Sequence, residues 1–290
     1  MPKNLPIIIL VIVLAIFAMM VGVYVSSQTS PPTKNELSVH FLNVGDGDCI
    51  LILTPDQRTI LVDAGDESTA KYVIRYLHRL DIERIDCVII THPGSDDIGG
   101  LPEIIRQFGV SRVVDAGSRH GTKKYLDLLS NIKERRIDYL QIQEGQTLPI
   151  SKDVSAEIVW PTQSYNGNLP SDDNESLALR LVYGENSFLL MGDVDPLAIG
   201  MLLSARQDLQ SSVLGVPLHG DMDSTPNELL QVVQPDYCVI SVGADDIFGA
   251  PAKSTLNRLE ATGSRVLRTD RNGTIVFSSD GRHVRVNTEH

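Results

Sequence analysis

Residues 91–100 read Thr91-His92-Pro93-Gly94-Ser95-Asp96-Asp97-Ile98-Gly99-Gly100 and follow the apolar run Cys87-Val88-Ile89-Ile90. A buried strand of that composition delivers a histidine and two carboxylates to a loop at its end. A histidine nitrogen and carboxylate oxygens can converge on one divalent cation, and the Gly-Gly pair lets the chain turn sharply from loop into helix. Without a cation, the same residues form a polar strand-to-helix loop in which Asp96 or Asp97 caps the helix.

Upstream of this loop, Leu37–Leu42 and Cys49–Leu53 read as strands around a Gly-Asp-Gly-Asp turn, and Arg58–Val62 is a third, closed by Asp63-Ala64-Gly65. Such short links predict antiparallel pairing. Ala70–Leu80 carries apolar residues at helical spacing, and Leu101–Phe108 is a second helix before the strand Arg112–Asp115, which makes βαβ alternation. Tyr125–Arg136 reads as a helix. Strands return at Glu157–Trp160, Ala178–Tyr183 and Ser187–Met191, the last two joined by a tight turn at Gly184 and Asn186. Then come the helix Pro196–Ala205, strand Val213–Pro217, helix Pro226–Val233, strand Tyr237–Val242 and helix Thr255–Thr262. Arg265–Arg268, Thr274–Ser278 and His283–Val286 close the chain, with turns at Asn272-Gly273 and Asp280-Gly281. Strands followed by βα alternation occur in both halves, so two sheets between outer helices are expected rather than one doubly wound sheet.

The 290 residues are 42% hydrophobic and 5% aromatic, an ordinary globular composition. From Leu5 to Val25 the chain is uncharged and apolar over about the 20 residues that cross a bilayer, and Lys3 precedes it. The expected organisation is a short cytoplasmic tail (1–4), a single membrane anchor (5–25), a polar Pro-containing linker (26–36) and an extracytoplasmic domain (37–290). The protein is thereby placed in the cell membrane. A cleavable signal peptide is the rival, but its apolar core is usually shorter and Val25-Ser26-Ser27 is a poor cleavage site. The net charge of −12 repels nucleic acid unless a basic groove or a metal ion bridges the two. Lys123, Lys124, Lys133, Arg135 and Arg136 lie at helical spacing and read as a solvated face. Cys49, Cys87 and Cys238 each sit in an apolar run and read as small core residues, not as a disulfide or thiolate site.

The strings Val39 to Asp48, Ile60 to Gly65 and Thr91 to Gly100 together resemble the metallo-β-lactamase superfamily, and more narrowly the domain of that type in ComEC-type competence (DNA-uptake) proteins. Asn174 with Ser176 to Leu181, Leu190 to Asp193, Val216 to Gly220, Val239 to Gly243 and Arg268 to Ile275 continue the likeness in order. The resemblance implies an αββα sandwich with a metal site along one edge. It implies His92, Asp96, Asp97, Asp193 and His219 as the metal ligands, with Asp96 also the candidate catalytic carboxylate. In active relatives two metals lower the pKa of a bridging water, whose hydroxide attacks a phosphorus or carbonyl centre.

The family pattern is incomplete. Gly94 stands where a His or Asp is expected, Asp97 replaces a histidine, Leu218 and Asp221 flank His219 in place of family residues, and Ala250 and Ala252 replace two histidines. Five candidate ligands suit one ion better than two, and the shift from imidazole to carboxylate moves preference from Zn toward Mn, Mg or Ca. Asp221, Asp223, Asp245 and Asp246 are expected near the same edge and could add ligands, while Asp46, Asp63 and Asp193 could instead be plain turn acceptors. The implied function is a binding or scaffold role beside a protein partner in a membrane complex. The alternative is a metal-dependent phosphodiesterase or nuclease using one hard cation. Because a single span is apparent, passage of DNA through this chain alone is not expected.

Overall fold

The computed structural model describes residues 35–117, 122–142, 145–161, 176–205, 208–244 and 249–290. The expected anchor and nearly all of the linker lie outside these residues, as do Asn174, Asp245 and Asp246. Among the described residues, no helix is long and apolar enough to cross a membrane.

In chain order, the first half contains β1 (Leu37–Phe41), β2 (Ile50–Leu53), β3 (Thr59–Val62), α1 (Ala70–Arg79), β4 (Arg84–Ile85), β5 (Cys87–Ile90), α2 (Ser95–Ile98), α3 (Leu101–Gln107), β6 (Gly109–Val110), β7 (Arg112–Asp115), α4 (Lys123–Glu134) and β8 (Asp138–Gln141). The second half contains β9 (Thr147–Leu148), β10 (Ser155–Trp160), β11 (Ala178–Tyr183), β12 (Asn186–Leu190), α5 (Pro196–Ser204), β13 (Val213–Gly215), α6 (Asn227–Val233), β14 (Tyr237–Ile240), α7 (Lys253–Ala261), β15 (Arg265–Arg268), α8 (Thr269–Asn272), β16 (Ile275–Ser279) and β17 (Val284–Thr288).

Two large sheets result, ordered β17-β16-β1-β2-β3-β5-β7-β8 and β15-β14-β13-β12-β11-β10-β9. In each, short links give antiparallel pairs, and βα connections give parallel ones from β3 to β8 and from β12 to β15. Strands buried on both faces are apolar throughout, as Cys87–Ile90 is. One core lies between the sheets, built on Phe41, Ile89, Phe188 and Phe277. A second packs Val73, Tyr76 and Leu77 of α1, Ile104 of α3 and Leu128 of α4 against the first sheet. A third packs Ile199 of α5, Leu229 of α6 and Leu259 of α7 against the second. The layers are therefore α, β, β, α, as the sequence implied.

Several local expectations shift. The helix expected over Tyr125–Arg136 starts at Lys123, because the Thr122 hydroxyl accepts a hydrogen bond from the Tyr125 amide. The strand expected to reach Pro217 stops at Gly215, and Pro217–Gly220 forms a tight turn with Leu218 and His219 at φ 49° and 51°. Neither Asp96 nor Asp97 caps α2: the N-cap is Gly94, and the two aspartates lie within the helix. Asn272-Gly273 joins no hairpin, since β15 and β16 belong to different sheets and the chain crosses between them there. Gly184 does turn a two-residue hairpin, where a Cβ would fall 2.3 Å from the Gly281 carbonyl oxygen.

Candidate metal centre

The first sheet delivers its site residues from the C-terminal ends of parallel strands. Asp63 follows β3 and His92 follows β5. The Asp63 carboxylate, fully buried, accepts the Thr91 amide at 2.9 Å and the Thr91 hydroxyl at 2.5 Å, which fixes the peptide just before His92. Asp63, expected as a turn acceptor, is instead an acceptor between neighbouring strand ends. One turn later Asp97 is buried, and its Oδ1 accepts the Asp48 amide at 2.9 Å. Gly47 allows that approach, since a Cβ there would lie 2.2 Å from the Asp96 carbonyl oxygen.

The second sheet supplies Asp193, three residues past β12, and His219 in the left-handed turn. Backbone at positive φ in a leucine and a histidine is strained, and here it points one ring into the site. His219 Nδ1 donates to the Ser241 carbonyl at 2.9 Å, which leaves Nε2 facing Asp193 Oδ1 at 3.7 Å.

His92 Nδ1 stands 3.6 Å from Asp97 Oδ2 and 3.5 Å from Asp193 Oδ2. Donor atoms of these three residues all lie within 4.8 Å of one another. The two separations from His92 are too long for hydrogen bonds and match the roughly 3.4 Å between ligand atoms bound about 2.1 Å from a tetrahedral ion. The donor set, one imidazole and two carboxylates with a second imidazole beside them, therefore fits a single divalent cation. Among the described residues this is the cluster with that geometry.

The electrostatics carry the same signature. Burial, then the neighbouring Asp97 carboxylate, lift the Asp193 carboxyl to about 7. Burial opposes protonation of His219, but Asp193, Asp48 and Asp97 outweigh it and raise its pKa to about 9. Asp96 is raised as well, first by burial and then by Asp97. Carboxylates crowded this closely are held apart in energy by their mutual repulsion, which a cation would relieve.

Of the five ligands implied by the resemblance, His92, Asp97 and Asp193 converge, and His219 adjoins Asp193. Asp96 stands at the rim, where a Cβ on Gly94 would meet both its Oδ1 and His92 Nδ1 at 2.7 Å. Asp221 and Asp223 are exposed outside the cluster, and the Asp221 carboxylate accepts the Met222 amide instead. Asp46, expected as a turn acceptor, instead accepts the distant Gly243 amide at 2.8 Å.

Asp48 was not expected. Its carboxyl bonds the Ser241 side chain, and burial raises its pKa against the opposing charge of His219. The Gly-Asp-Gly-Asp turn marks it in the sequence, but no ligand spacing connects it to residues almost two hundred positions away.

The model of the metallo-beta-lactamase superfamily matches residues 42–244. ComE operon protein 3 of Bacillus subtilis strain 168 is 27% identical over 269 residues, covering 87% of this chain and 34% of that protein. Competence protein ComA of Neisseria gonorrhoeae is 27% identical over 256 residues, covering 88% and 34%. The chain thus spans about a third of the length of these relatives. Among solved structures, CmlA, a diiron beta-hydroxylase from Streptomyces venezuelae, superposes with a TM-score of 0.52 at 17% identity, over 82% of this chain and 53% of that one, a likeness of fold. The expected kinship with ComEC-type competence proteins is borne out, and with the family model matched over residues 42–244 the chain belongs to the metallo-β-lactamase superfamily.

Proposed function

We propose that this chain is a membrane-anchored, extracytoplasmic domain of the competence-protein type that keeps one divalent-cation position and serves as a binding or scaffold component beside a membrane partner. The observation that carries this reading is the convergence of His92, Asp97 and Asp193 donors within 4.8 Å, where family ligands are missing at Gly94, Leu218, Ala250 and Ala252. Three protein donors suffice for one ion and are too few for two. A bound divalent cation there would supply Lewis acidity and a point of attachment for an anionic group. Asp97 and Asp193 would carry the negative charge of the cradle, His92 would close it, and the Asp63–Thr91 pair would hold the peptide before His92 in place. The carboxylate-rich donor set supports Mn or Mg ahead of Zn.

A second reading, a single-cation phosphodiesterase or nuclease, is favoured by His219. With Nδ1 tied to Ser241 and a raised pKa, its Nε2 could hold a proton at the site and give it to a leaving oxygen.

Calorimetry of the purified chain with manganese and zinc tests the first reading, with Asp193→Ala and His219→Ala as controls. Micromolar binding that Asp193→Ala abolishes is expected; no binding by the unaltered chain overturns the cation site. Manganese-dependent cleavage of DNA or a generic phosphodiester, lost in Asp193→Ala, would replace the binding role with the hydrolytic one.

A further inference from the structure

The two ends of the eight-stranded sheet differ in chemistry. Register aligns Ser38 with Leu53 and Leu53 with Thr59. The Asp86 amide donates to the Thr59 carbonyl, and the pairing of Val88 with Val113 sets Cys87 beside Arg112, which in turn pairs with Asp138. This row is the end at which β1 begins with Leu37. Asp63 and His92 follow the opposite ends of β3 and β5, so the candidate metal centre lies a strand length away.

At the Leu37 end, Arg58, Arg84 and Arg112 line a cleft of about 200 Å³ together with Asp86, Ser111 and Asp138. Arg112 is committed, donating to Asp138 Oδ2 at 2.7 Å. Arg58 reaches Asp86 at a long 3.4 Å, while the other oxygen of Asp86 accepts the Thr59 amide. Arg84 differs: its Nε and one terminal nitrogen both donate to the Ser111 hydroxyl, at 2.9 and 2.6 Å, and among the described residues no carboxylate pairs with it. Three guanidiniums therefore face two carboxylates, a local excess of positive charge on a chain of net charge −12. A guanidinium has five donors in a planar fork that matches two oxygens of a phosphate, and a single neutral hydroxyl leaves most of that capacity unused.

We infer that this cleft is an oxyanion site that takes a phosphate group, with Arg84 as its main donor. Topology favours the phosphate of a lipid headgroup as the occupant, a step that rests on the anchor reading of residues 5–25 given under Proposed function. In sequence, only residues 26–36 separate that anchor from Leu37, so the chain outside the sheet is short. A headgroup phosphate is thus the phosphate that an anchored chain would meet nearest to Leu37, the residue that opens β1 at the arginine end of the sheet. Arginine at an anionic lipid surface contributes about 1 kcal/mol, or about fivefold in affinity.

The test uses the full chain in zwitterionic detergent micelles, stripped of metal with a chelator so that phosphate cannot bind through a cation. Inorganic phosphate and short-chain phosphatidylglycerol are titrated separately by calorimetry. Both are expected to bind, the lipid more tightly, with Arg84→Gln weakening each by about fivefold and Arg84→Lys, which keeps the charge but loses the fork, falling between. The melting temperature should not move, because Arg84 is exposed and its side chain bonds only Ser111 among the described residues. Equal binding of phosphate and lipid would support the site and assign it to soluble phosphate. Binding of neither probe, or binding unaffected by Arg84→Gln, overturns the inference. Manganese affinity on parallel samples and alkaline extraction of membranes test the cation site and the anchor separately, so either can fail while the oxyanion site stands.

Discussion

At the scale of single residues, Gly94 governs how tightly the site can close. Its φ of −58° suits any residue, so the glycine is not required by backbone conformation. It is required by space: a Cβ would lie 2.7 Å from both Asp96 Oδ1 and His92 Nδ1. Gly94→Ala is therefore expected to displace His92 and lower manganese affinity by about tenfold, the scale seen when a ligand's supporting contacts are lost. Stability should change by less than about 1 kcal/mol, because the Asp96 carboxylate can swing toward solvent. Calorimetric titration and a melting curve on the same variant check both parts.

At the scale of elements, β1 and α1 are clamped by a buried histidine. His40 bonds the Ser38 hydroxyl through Nε2 at 2.6 Å and the Tyr76 hydroxyl through Nδ1 at 2.7 Å. Burial without a charged partner lowers its pKa to about 3 from the usual 6.5. Between those values the unfolded chain binds a proton that the folded chain does not. The contribution of His40 is thus complete above about pH 6.5 and is lost as pH falls, with a limiting slope of about 1.4 kcal/mol per pH unit. Urea unfolding of the wild type and His40→Gln from pH 4 to 8 isolates this dependence. The difference between the two stabilities should shrink toward acid; a difference constant with pH would show that His40 does not titrate in this way.

At the scale of the whole molecule, the site exists because two sheets close on each other. Asp193 at about 7 and His219 at about 9 both have raised folded-state values, so in the metal-free chain they hold protons that the unfolded chain has released. Their contribution is present at low pH and is lost as pH rises, Asp193 between about 4 and 7 and His219 between about 6.5 and 9. A cation competes for the same atoms, so its binding strengthens as these protons leave. The rise in melting temperature on adding manganese should therefore grow from pH 5 to pH 7, as Asp193 loses its proton, and Asp193→Asn should remove most of that growth. A rise independent of pH would place the cation elsewhere.

Much of this was legible in residue order. The short apolar run Cys87–Ile90 is a strand because a strand buried on both faces uses such composition at such length. The Gly-Gly after Asp97 and the Asp280-Gly281 turn place their breaks for equally local reasons. The resemblance carried by the loop at His92 extended this to the sandwich and to the ligand types. What residue order does not contain is distance across the fold. That Asp97 turns inward while Asp96 stays at the rim depends on how α2 packs beneath the Asp46–Asp48 turn. That Asp48 joins His219 through Ser241 depends on the two sheets meeting at one edge. The arginine row at the opposite end emerges only once strand register aligns Thr59, Asp86 and Arg112, because hydrogen-bonded pairing, and not spacing along the chain, decides which side chains become neighbours.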